Sequence, residues 1–209
     1  MEMFNIRLAT EKDASAIADI YRPFVENTTV SFETTAPTPA EMAQRIKACE
    51  PKYPWLVCVR GEEVAGYAYA GLHRKRAAYQ WTTEVSVYVH PDFRKRRIGS
   101  ALYTALFDIL RCQGYKNILA GITLPNPRSV AFHEAMGFRF FAKYESVGFK
   151  MGAWRSTAWY RMSFQDGPPA PLRPVGEVAH SEAWGHLIGR ALSLIRPPEP
   201  RHPKKKPPF

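Results

Sequence analysis

The spacing of apolar residues changes abruptly between Val85 and Leu110, and no other feature limits the fold of this chain as tightly. Val85, Val87 and Val89 alternate and are β-branched, which predicts a strand with one buried face. Pro91 ends the ladder. From Ile98 the apolar positions become Ile98, Leu102, Leu106, Ile109 and Leu110, one face of a helix that Gly114 can close at its C′ position. Arg94, Lys95, Arg96 and Arg97 fill the junction, where the unpaired N–H groups of a helix start favour an anion. Gly99, Ser100 and Ala101 keep the first turn slim enough for a ligand to reach the backbone. The junction therefore reads as a pyrophosphate-binding turn rather than a solvated corner. Neither a P-loop string, G-x-x-x-x-G-K-S/T, nor a Rossmann glycine fingerprint occurs.

The flanking sequence alternates strands and helices. Phe4 to Leu8 predicts an edge strand, and Thr10-Glu11-Lys12-Asp13 a capping box that starts a helix burying Ile17, Ile20 and Phe24. Pro23 is expected to bend or shorten that helix. Thr38-Pro39-Ala40-Glu41 opens a second helix with Met42 and Ile46 inward. Strands are expected at Trp55 to Val59, Val64 to Ala70 and Ile118 to Thr123, then a short helix capped by Asn126 and stopped near Gly137. Phe138 to Tyr144 and Thr157 to Phe164 read as a closing antiparallel pair. The order implies one mixed α/β sheet with helices on both faces.

With 45% hydrophobic residues, 209 residues can bury one substantial core, read as a domain over residues 1–166. Ten of the 18 prolines fall in residues 167–209, so that segment is expected to be a basic tail without a compact core. One helix over 177–195 is expected there, followed by an extended end at Lys204-Lys205-Lys206. Neither a membrane span nor a signal segment is recognisable, so a cytoplasmic location is expected. Cys49, Cys58 and Cys112 lack C-x-x-C spacing and read as reduced, without a metal site. The formal charge of +10 fits attraction of an anionic cofactor and substrate into a cleft. It is also compatible with nucleic-acid binding, but no recognisable nucleic-acid motif accompanies it.

Arg94 and Gly99, spaced R-x-x-x-x-G after a strand, resemble the acetyl-CoA pyrophosphate loop of GNAT N-acetyltransferases, Q/R-x-x-G-x-G/A. The middle glycine is replaced by Arg97. Were that site left-handed, arginine would cost about 1 kcal/mol or more; as the first helical residue it would cost little and add a phosphate donor. The second is the expectation. Further strings, including Arg76-Ala77-Ala78-Tyr79-Gln80-Trp81-Thr82-Thr83-Glu84, Phe132-His133-Glu134-Ala135-Met136-Gly137-Phe138 and Gly148-Phe149-Lys150-Met151-Gly152-Ala153-Trp154, are similar to the phosphinothricin and methionine sulfoximine acetyltransferases within that superfamily. The resemblance implies a GNAT-type, mostly antiparallel sheet. It further implies acetyl-CoA as cosubstrate, a small amino acid analogue as acceptor and, as in many relatives, a homodimer. A protein or peptide amine is the alternative acceptor.

Acyl transfer to an amine needs a nucleotide anchor, a donor for the thioester oxygen, a proton route and an acceptor pocket. Arg94, Lys95, Arg96, Arg97, Ile98, Gly99 and Ser100 are assigned to the anchor. Backbone groups of Val87, Tyr88 and Val89 can pair with the pantetheine arm and face an N–H toward the carbonyl. A free α-amino group has a pKa of roughly 8 and must lose a proton before attack. Glu84 is the candidate base, acting directly or through water, and by alternation it points with Ser86 and Tyr88, opposite Val85 and Val87. The resemblance supports Glu84 and adds His133, one turn after Ser129, as an assisting catalytic residue. Asn126 and Ser129 complete the cofactor set. For the acceptor the resemblance points to Phe32, Arg76, Tyr79 and Trp81, with Arg76 able to hold a carboxylate bidentately.

Overall fold

The computed structural model describes residues 3–164 and 167–197. Seven strands, β1 (Phe4–Leu8), β2 (Trp55–Arg60), β3 (Glu63–Leu72), β4 (Thr82–Val89), β5 (Asn117–Leu124), β6 (Arg139–Lys150) and β7 (Ala153–Ser163), form one sheet. Its order is β1-β2-β3-β4-β5-β7-β6. All neighbours are antiparallel except β4 and β5, which pair in parallel only from Thr82 to Glu84 against Asn117 to Leu119. Beyond Glu84 the two strands part. Each stays bound along its other edge, β4 to β3 from Thr83 to Val89 and β5 to β7 from Asn117 to Leu124, so sheet twist opens a wedge between them.

Helix α1 (Ala14–Glu26) and helix α2 (Pro39–Cys49) cover one face. The Thr10 capping box initiates a short 3-10 turn, Glu11–Asp13, and α1 starts after it. Pro23 does not end α1, which continues to Glu26. Thr38 and Glu41 cap α2 reciprocally, each side chain meeting the other's backbone N–H. Helix α3 (Ile98–Gln113) fills the opposite face, with Ile98, Leu102, Leu106 and Ile109 at 1% exposure or less. Gly114, at φ 99°, closes α3 as expected, and the following Tyr115 N–H returns to Leu110 O. Helix α4 (Pro127–Ala135) follows β5.

Two regions depart from expectation. The β6–β7 hairpin extends to Lys150 and Ala153, because Met151 and Gly152 both take positive φ and make a tight turn matching strand twist. The C-terminal segment holds two helices, α5 (Val175–Ala179) and α6 (Ala183–Leu192), instead of one. Val178, Ile188 and Ala191 are buried in the α3 core, so the proline-rich composition does not exclude this segment from the core. Its apolar residues cover a flank of α3. The expected extended end at Lys204 to Lys206 lies outside the described residues. Among those described, no helix is long and apolar enough to cross a membrane.

Candidate active site

The wedge between β4 and β5 is a cleft reached by Ser86, Val87 and Tyr88 from one side and Thr123 from the other. Asn126, Ser129 and His133 of the α4 region close its end, and Val30 of the α1–α2 segment reaches it from above the sheet. A second basin of about 320 Å³ lies between the end of β4, Phe132 of α4 and the start of α3. Val89 and Phe132 form its apolar wall, and Arg94, Lys95, Arg97, Gly99 and Ser100 its basic rim.

Backbone geometry at this rim corrects the reading of Arg97. It precedes α3 with φ 61° and ψ 18°, in the left-handed region, and Lys95 has φ 65°. Each non-glycine residue held there costs about 1–2 kcal/mol, strain of the kind that gathers at ligand sites. In exchange the turn leaves the first N–H groups of α3 free to face an anion. A Cβ on Gly99 would stand 3.6 Å from Val89 and Phe132, in the corner that a ligand backbone would use. Arg96 is the exception among the predicted anchors: its guanidinium lies 5.3 Å from the Phe93 ring centre, where Arg60 also stacks at 4.7 Å.

His133 is 7% exposed and both ring nitrogens are engaged. Nδ1 lies 2.8 Å from Ser129 O and 3.3 Å from Ser129 Oγ, and Nε2 is 3.1 Å from the Tyr103 hydroxyl. Burial raises the pKa of Tyr103, keeping it protonated. The consistent assignment has Nδ1–H donating to Ser129 O and the phenol donating to Nε2. Burial also lowers the His133 pKa below the usual 6.5, against the opposing effect of the Ser129 backbone bond. The unfolded chain then gains this proton near pH 6.5 and the folded chain only at lower pH. Stability should be complete above that value and decline as pH falls toward the native pKa. Urea unfolding at about pH 7.5 and about pH 5 should show this loss, and His133→Phe should flatten it; an equal slope in the variant would contradict the assignment. Asn126 accepts from the Ser129 N–H at 3.2 Å, capping α4 while facing the cleft.

Glu84 stands at the apex of the wedge, with its side chain 39% exposed. Its Oε1 lies 2.8 Å from Nδ1 of His73, a residue not singled out from sequence. His73 is 14% exposed and contacts Tyr79 and Trp159 edge-on, with ring centres at 5.6 and 6.3 Å. Leu72 pairs with Thr83, so His73 falls diagonally across from Glu84. That register would have located it, but the intervening loop hides the register from local patterns. Tyr103 was missed for a related reason: at a helical position with 0% exposure, it reads as core.

The expected acceptor residues separate. Phe32 seats its ring where Gly148 of β6 has no side chain; a Cβ there would be 2.4 Å from the ring. Lys150 fixes the same segment by donating to Val25 O at 2.6 Å and Ser31 O at 2.8 Å. Tyr79 joins the His73–Glu84 cluster. Trp81 instead donates its indole N–H to Ala170 O at 2.7 Å, and Arg76 lines a different basin beside Lys52 and Arg173. Both lie where the loop before β4 meets the C-terminal segment, a contact that local sequence cannot reveal. No group of three or more metal-ligating side chains occurs among the described residues.

Residues 6–159 match the family model for the acetyltransferase (GNAT) domain. The chain is 39% identical over 174 residues to a phosphinothricin N-acetyltransferase of Streptomyces viridochromogenes, covering 83% of this chain and 95% of that one. It is 32% identical over 162 residues to an L-methionine sulfoximine/L-methionine sulfone acetyltransferase of Salmonella typhimurium, covering 77% and 95%. Among solved structures, a GNAT phosphinothricin acetyltransferase from Sinorhizobium meliloti in complex with AcCoA superposes with a TM-score of 0.75 at 34% identity, over 81% of this chain and 94% of that one. With the basic turn, the parted strands and the carboxylate at their apex, these likenesses lead to one conclusion: this chain belongs to the GNAT acetyltransferase family.

Proposed function

We propose that this protein transfers the acetyl group of acetyl-CoA to the free amino group of a small amino acid analogue such as phosphinothricin, methionine sulfoximine or methionine sulfone. The observation that carries this reading is the opening of β4 and β5 immediately after Glu84, with the basic turn at the far end of β4. Acetyl-CoA would lay its diphosphate on Arg94, Lys95 and the turn from Arg97 to Ser100, and its pantetheine arm along Val87 to Val89. A β4 N–H would then face the thioester oxygen as charge develops there. Glu84, steadied by His73, takes the ammonium proton directly or through water, and the neutral amine attacks the carbonyl carbon. The C–S bond breaks, the nitrogen sheds its second proton as the amide forms, and the departing thiolate takes up that proton, while the Tyr103–His133 pair holds the end of the cleft.

Phe32 and Tyr79 wall the acceptor in this reading, while Trp81 and Arg76 support the loop from behind. A homodimer is part of the same proposal. Phe140, Phe149 and Trp154 on the outer hairpin are 55%, 60% and 64% exposed, an apolar surface of the kind that partners cover. A detoxifying role in the cytoplasm completes it. Incubation with acetyl-CoA and a panel of amino acid analogues and peptides, following thiol release, tests the activity. Release above the water background with a free amino acid analogue is expected, and a response confined to peptides would reject the acceptor class. A monomeric mass for the same sample in sedimentation would remove the dimer.

A further inference from the structure

Beyond the family match, the chain runs back along α3 from one end to the other. At the C-terminal end of α3, Arg173 N–H donates to Gln113 O at 2.9 Å. Midway, Arg190 of α6 pairs with Asp108, a carboxylate 5% exposed that also binds Arg111 at 3.0 Å. At the N-terminal end, past α6, Arg196 N–H donates to Arg96 O at 3.0 Å. Arg96 is the residue between Lys95 and Arg97, the two left-handed positions of the basic turn.

We propose that the C-terminal extension is a working part of the acetyl-CoA site: through the Arg196–Arg96 bond it holds the basic turn in its anion-binding shape. This rests on the reading of that turn as the pyrophosphate anchor. Two non-glycine residues in left-handed conformations leave the isolated turn strained, and relaxation of either would swing the N–H groups away from a common focus. Any time spent relaxed weakens ligand binding by the fraction of competent turn. The extension counters this from a well-supported base, since Ile188 and Ala191 anchor α6 in the core at 7% and 0% exposure. Arg96 itself faces Phe93, so its contribution is a carbonyl for the brace in place of a phosphate contact.

The discriminating substitutions are Arg196→Pro, which removes the donor, and Arg196→Ala, which keeps it. Coenzyme A affinity by calorimetry and the KM for acetyl-CoA should weaken about three- to tenfold in Arg196→Pro, the usual effect of one hydrogen bond. Saturated kcat and the acceptor KM should stay unchanged, and Arg196→Ala should remain within about twofold of the wild type on the same hydrogen-bond reasoning. Equal affinities for the two variants would overturn the proposal. Amide hydrogen exchange in full-length Arg196→Pro gives a second reading that needs no ligand. Faster exchange over residues 94–100, with the centre of α3 unchanged, is expected; unchanged exchange over 94–100 would reject the brace. Failure of the wild type to bind coenzyme A would instead remove the pyrophosphate reading, leaving the exchange result to judge the brace.

Discussion

Glu84→Gln is expected to lower kcat by about 100-fold or more, the usual contribution of a positioned general base, while coenzyme A affinity stays near that of the wild type. Glutamine keeps the size of the side chain and can still hydrogen-bond to His73, which holds the carboxylate at 2.8 Å. It cannot accept the ammonium proton. The proposed anchor lies at the opposite end of β4, so the cofactor should not sense the change. Stability should barely move, because the Glu84 side chain is 39% exposed. Steady-state kinetics at saturating acetyl-CoA, with calorimetry in parallel, separates the effects. An unchanged kcat would assign the proton route to another group, and a large loss of coenzyme A affinity would mean that Glu84 shapes the cleft.

Gly66→Ala should destabilise the sheet, because the added methyl meets fixed backbone. A Cβ at this position would stand 2.8 Å from Tyr88 O and 3.2 Å from the Val89 Cα, both backbone atoms of β4. Neither can rotate away, so β3 and β4 must separate where β4 borders the proposed cofactor cleft. Overpacking of this kind costs about 1–3 kcal/mol, and the displaced strand should also weaken coenzyme A binding. Gly71→Ala on the same strand is the control, because nothing lies within 4 Å of its Cβ position. Urea midpoints for both variants test the prediction; equal midpoints would show that β4 yields without cost.

Where the cue was capping chemistry within a few consecutive residues, sequence and structure agree. Thr38 with Glu41, Asn126 before Pro127 and Gly114 after α3 carry capping chemistry that depends on neighbours three or four positions away. The alternation of Val85, Val87 and Val89 placed those side chains against the α3 core and turned Tyr88 toward α1, where it meets Tyr21 and Phe24 at 5.0 and 5.1 Å. Candidate site residues followed the same division. Glu84 and the basic turn were recognisable because each lies next to the strand that positions it. His73, Tyr103 and the true surroundings of Trp81 were not, since their partners come from distant segments.

The sequence alone therefore determined the strand-to-helix turn, its charge and the carboxylate at the start of β4, because hydrophobic period and capping are local properties of the chain. Tertiary structure decided the left-handed turn at Arg97, the His73 partner of Glu84, the displacement of Arg76 and the packing of α6 on α3. Apart from the turn at Arg97, each of these depends on contacts between residues far apart in the chain, and those contacts exist only once the sheet order is set and β4 and β5 have parted.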